Sequence, residues 1–239
     1  MPIFVCEFNK NYEIFLAEVY EYVVSNFARD FNLSSLNKIE IVESLPGLSD
    51  GRMIDPNNIL LSKRLYDLLP ILDIASLYGN DDFDSIVGAL CHELCHINEQ
   101  SVMPSIHEIC YNEIKDINYC VALFWIEYIV ETKTNAKITR NKSNFCKDVA
   151  LCNWNIIKFN YEDADTSNYF YLIKILSYVL ANCQMPTYSN TIKNTTVKNM
   201  VIELYDAISQ IKGLYPFDSI NNLDEIKRIF LSYKKQFAV

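Results

Sequence analysis

The chain has 239 residues, half of them apolar, and a formal net charge of −9. That is enough for a real core, in one large domain or in a domain with a helical extension, without disulfide staples. The acidic balance and the dispersed Lys and Arg argue against nucleic acid and acidic membrane surfaces as partners, and no apolar run is long enough to span a bilayer.

The start, Met1-Pro2-Ile3-Phe4-Val5-Cys6-Glu7, lacks the basic opening and apolar run of a signal peptide. The eight cysteines, at 6, 91, 95, 110, 120, 146, 152 and 183, form no C-x-x-C pair. They are therefore expected to be reduced, mostly buried thiols of a cytoplasmic protein. A first helix is expected over 12–31, with Ile14, Phe15, Ala17, Val19, Tyr20, Val23, Val24 and Phe27 on its apolar side. Lys38-Ile39-Glu40-Ile41-Val42-Glu43 nearly alternates, as a strand does. Gly51-Arg52-Met53-Ile54, a turn at Asp55-Pro56-Asn57-Asn58 and Ile59-Leu60-Leu61 read as a hairpin. A helix capped by Ser62 must then accommodate Pro70 with a kink or a break.

From 80 to 99 the pattern is helical again. Asn80-Asp81-Asp82 supplies capping groups and favourable negative charge, and Phe83, Ile86, Val87, Leu90, Cys91 and Leu94 recur three and four apart. Gly88, a poor helix former, suggests close packing or an approaching backbone. Within this segment stands His92-Glu93-Leu94-Cys95-His96, an H-E-x-x-H holding two of the three histidines of the chain. Positions i and i+4 lie about 40° apart around a helix, so both imidazoles face one ion, on the side away from the apolar stripe. Glu93 beside them can reach a water on that ion and serve as general base. Cys95 flanks His92 and could make the site sensitive to oxidation.

Catalytic zinc takes three protein ligands and keeps a position open for water. A metzincin would need Gly and His where Glu99 and Val102 stand, which excludes that branch. Glu99 shares the face of the two histidines but lies about 10 Å along the axis from His92, too far for one rigid helix to serve one ion. His107, in a short helix opening at Ser105, is a weak candidate. The helix expected over 117–139 offers better ones. It is strongly apolar, with Val121, Leu123, Phe124, Trp125, Tyr128, Ile129 and Val130, and it carries Glu127 and Glu131 four apart on one face. Buried carboxylates need a partner or a metal.

This arrangement resembles the gluzincin metallopeptidases, whose best-known member is thermolysin, and in particular the compact minigluzincins. Glu127-Tyr128-Ile129-Val130-Glu131 is similar to their ligand-helix pattern, with Val130 in place of the usual Ala. The resemblance covers about residues 37–140. It implies a zincin-like fold with one Zn2+ held by His92, His96 and Glu127, with Glu131 accepting from a ligand imidazole and fixing its tautomer. The alternative register makes Glu131 the ligand, with Asn135 in the outer position. It also implies that an edge strand of the small sheet runs along the cleft, where it can pair with an extended peptide. A Tyr, His or Arg stabilising the oxyanion is usual in the family; His107, Tyr111 and Arg140 are the options considered.

Beyond 139 helices are expected over 143–158, 166–183, 195–212 and 223–237, with polar breaks at 160–165 and from Pro186 to Thr196. The whole reads as α+β, mostly helical, with a small N-terminal mixed sheet and an all-α C-terminal part. Residues 1–140 form the zincin-like domain and 141–239 a helical extension, possibly packed as part of the same domain. The function expected is zinc-dependent hydrolysis of a peptide or protein substrate. The competing expectations are a zincin-like binding or regulatory protein without turnover, against which the intact Glu93 argues, and a metal-free helical interaction protein.

Overall fold

The computed structural model describes residues 1–45, 50–67, 74–77, 79–111, 116–138, 166–182, 192 and 195–237, apart from the side chains of 166–172 and 235–237. The helix expected over 143–158, the break at 160–165, Pro70, Pro186, Arg140, Cys146, Cys152 and Cys183 lie outside the described residues. The architecture is α+β and mostly helical, with one small mixed sheet near the N-terminus. Two compact units divide the chain, one of Met1–Ser101 with Lys133–Arg140 and one of Val102–Thr132 with Asn141–Val239.

In the first unit, β1 (Ile3–Cys6) precedes helix α1 (Lys10–Phe27). Asn9 caps α1, its Oδ1 accepting from the Asn11 N–H at 3.0 Å. The helix buries Phe15, Leu16, Val19 and Val23, a stripe of helical period. Two expectations are corrected here. The helix stops at Phe27 rather than 31, where the Ala28 N–H returns to the Val23 carbonyl at 3.1 Å. Ile14 is exposed and Leu16 fully buried, because at about 100° per residue Ile14 lies roughly 150° from the centre of the buried stripe.

Strands β2 (Lys38–Val42), β3 (Gly51–Asp55) and β4 (Asn58–Ser62) complete a sheet of order β1-β2-β4-β3. The first two pairings are parallel, and β3 with β4 forms the antiparallel hairpin. Its turn is held by Asp55, whose Oδ1 accepts from the Asn57 N–H at 2.7 Å. Ile39 pairs with Ile59 and Ile41 with Leu61, and all four are buried, which locks the register by the period of two. Strand β1, absent from the sequence-based expectation, adds Cys6 opposite Ile41. Four residues are too short a run for periodicity to speak. After β4 come α2 (Arg64–Asp67) and a 3-10 turn, Ile74–Leu77.

Helix α3 (Asp81–Val102) begins where Asn80 Oδ1 accepts from the Asp82 and Phe83 N–H groups at 2.8 and 3.3 Å. Phe83, Ile86, Val87, Leu90, Cys91 and Leu94 are buried, as is Gly88. They join the core formed with Leu16, Ile39, Ile59, Leu61 and Ile138.

The second unit holds α4 (Pro104–Tyr111), the greater part of α5 (Ile117–Lys137), α6 (Thr166–Asn182), α7 (Thr195–Ile211) and α8 (Asp224–Phe237). Asp218 caps α4 by accepting from the Ser105 and Ile106 N–H groups at 2.8 and 3.2 Å. Phe124 meets Phe230 edge-on at 5.3 Å, and Trp125 stacks on Phe217 at 5.3 Å. These aromatic anchors explain why most of α5 groups with the later helices.

Candidate metal centre

One turn of α3 separates His92 from His96, and the helix brings their Nε2 atoms to 3.2 Å with the rings edge to face. Both residues are buried. Two ring nitrogens facing each other at that distance share either a proton or a cation. Zinc bonds of about 2.0–2.1 Å at tetrahedral angles set ligand nitrogens about 3.3–3.4 Å apart, so the pair stands close to what an ion requires. Ligand-capable atoms of His92, His96 and Glu127 all lie within 4.8 Å of one another, and all three residues are buried. Two imidazoles and a carboxylate are a donor set of catalytic zinc sites.

Glu93 is also buried, and its side chain lies against the first residue of β3. A Cβ built on Gly51 would fall 2.7 Å from Glu93 Cγ and 2.8 Å from its Oε1. The absence of a side chain at 51 therefore gives Glu93 its room. Among the described residues only Gly79 has a positive φ, so Gly51 answers a need for space rather than for backbone conformation.

Glu127 and Glu131 are both buried on α5. Lys174 Nζ stands 2.8 Å from Glu127 Oε1, and the Tyr178 hydroxyl donates to Glu127 Oε2 at 2.7 Å. Asn182 donates to Glu131 Oε1 at 3.0 Å. Glu131 is not in the His92, His96 and Glu127 group. Neither is Glu99, fully buried further along α3, where it takes Lys133 Nζ at 2.6 Å and the Asn98 amide at 2.8 Å. His107 is buried in α4 outside the group, and Tyr111 is partly exposed at the end of that helix.

The thiols are quiet. None of Cys6, Cys91, Cys95, Cys110 and Cys120 is in a disulfide. Burial first, then the charge of Glu99, pushes the Cys95 thiol well above its ordinary value. A buried, protonated thiol is a poor nucleophile. Burial, with Glu127 adding to it, raises Cys110 to about 12.

Three contributors escaped the sequence reading. Gly51 looked like any strand-opening glycine, and Lys174 and Tyr178 gave no signal beyond a helix. Only their spacing with Asn182, four and four, hinted at a common face. Comparison with known protein families, with curated proteins and with solved structures finds no match.

Proposed function

We propose that the chain is a metal-dependent hydrolase and, more narrowly, a zinc metallopeptidase of the gluzincin kind, zincin-like in fold and acting on a peptide or protein substrate in the cytoplasm. The observation that carries this reading is the buried His92, His96 and Glu127 group with Glu93 next to His92 on the same helix. His92, His96 and Glu127 would hold one Zn2+, with the register that makes Glu131 the ligand as the alternative. A bound zinc ion supplies Lewis acidity toward a carbonyl oxygen and lowers the pKa of water toward about 7.

The remaining work falls to the chain. Glu93 takes a proton from the attacking water and returns it to the leaving amine, so its carboxylate has to be held and not merely present. Gly51 supports that reading, because it leaves the Glu93 side chain its place against β3. Strand β3 also ends the sheet order, which suits an extended substrate backbone laid along that side. The lack of a disulfide at all five described cysteines accords with a reducing compartment.

Glu93→Gln is the test. It keeps the size of the side chain and removes the base, so cleavage of a broad peptide library should fall by about 10²–10⁴ while bound zinc is unchanged. Undiminished cleavage by the variant contradicts the reading.

A further inference from the structure

Helix α6 turns one stripe of three side chains on the carboxylates of α5. Lys174 and Tyr178 both reach Glu127, and Asn182 reaches Glu131. Both oxygens of Glu127, the anionic member of the metal-binding group, are thus engaged from α6. The two partners are not equivalent. The Tyr178 hydroxyl is neutral, so it fixes the plane of the carboxylate and leaves its charge available to a cation. Lys174 is itself a cation. Its ammonium rests 5.9 Å from the Tyr178 ring centroid, and its side chain is 39% exposed while that of Glu127 is 5% exposed. A buried carboxylate needs a counter-charge, and a metal ion and an ammonium both meet that need.

We infer that Lys174 is a built-in competitor for the metal at Glu127, and that Tyr178 is the residue that positions Glu127 for it. This inference rests on the zinc-centre reading above. Without metal, Lys174 supplies the counter-charge that keeps Glu127 buried and in place. With metal, two cations share one carboxylate, and the exposed stem of Lys174 gives it a way out to solvent. Occupancy of the centre is then set by available zinc rather than fixed at folding.

Competition titration of zinc against a chromophoric chelator, on the full-length protein, tests this through affinity alone. Lys174→Met and Lys174→Gln should each bind zinc about ten-fold more tightly than wild type, the worth of about one charge-assisted hydrogen bond. Lys174→Arg, which keeps the charge, should stay at the wild-type value, so the pair separates charge from fold. Tyr178→Phe should bind about three-fold more weakly, having lost one neutral donor. Unchanged or weaker binding in both neutral variants of Lys174 overturns the inference, as does tightening by Tyr178→Phe. If wild type binds zinc, His92→Ala abolishes it and the Lys174 variants match wild type, the competitor falls and the zinc centre stands. If neither wild type nor Lys174→Met binds zinc, both fall together.

Discussion

Helices α3 and α5 each bury charged side chains, but they acquire their meaning at different distances. On α3 the two imidazoles stand four residues apart, and the helix alone brings their nitrogens to 3.2 Å. On α5 the two carboxylates are also four apart, yet their partners on α6 lie 47 and 51 positions further along the chain. Nothing near Glu127 in sequence says whether it meets water, a lysine or a metal. A short motif specifies chemistry when backbone geometry does the assembling, whereas a buried carboxylate reveals its role only through the element that packs on it.

The largest expected effect on this comparison comes from Gly51. Gly51→Ala places a methyl group 2.7 Å from Glu93 Cγ and 2.8 Å from its Oε1, so the side chain must shift. A displacement of about 1 Å can cost about a hundred-fold in rate, and that loss is expected in peptide cleavage while zinc content stays at the wild-type level. Loss of zinc in the variant would mean that β3 supports the ligands themselves, and α3 would be less self-sufficient than the comparison holds.

Next in size is the ion pair of the buried Glu99 with the half-buried Lys133. Lys133→Met leaves a fully buried carboxylate with one fewer donor, which should lower unfolding stability by about 1–3 kcal/mol. Urea unfolding checks it, and an unchanged midpoint would show that Asn98 and other groups suffice.

The last expected effect is confined to alkaline solution. Burial raises the Cys110 and Cys120 thiols from about 9 to about 12. Between those values the unfolded chain has released protons that the native chain still holds. Stability is therefore fully present below about pH 9 and declines as pH rises toward 12. The fall in melting temperature across that window should be shallower in a Cys110→Ala, Cys120→Ala double variant than in wild type.

Much of the fold was legible because period and punctuation agreed. Asn80 before a stripe of Phe83, Ile86, Val87, Leu90 and Leu94 fixed the start and the buried face of α3. Ile39 and Ile41 marked β2 by alternation, and Asp55-Pro56-Asn57 marked the hairpin turn between β3 and β4. β1 was missed because Ile3–Cys6 is too short to show a period, and only its parallel pairing with β2 makes it a strand. The end of α1 was misjudged because Phe31 continues the apolar pattern past the residue at which the backbone turns. At the candidate centre, His92, Glu93 and His96 stood out by spacing, whereas the apolar setting marked Glu127 and Glu131 alike and only the family resemblance put Glu127 first. Gly51, Lys174 and Tyr178 were not, since each acts on a residue more than forty positions away.

The central claim is that His92, His96 and Glu127 form a zinc centre, and the most direct measurement is the zinc content of the purified protein by elemental analysis. Wild type dialysed against a slight excess of zinc should carry close to one ion per chain, and the His92→Ala, His96→Ala double variant, equally folded by circular dichroism, should carry essentially none. Equal zinc in the two proteins, or none in wild type, would contradict the account.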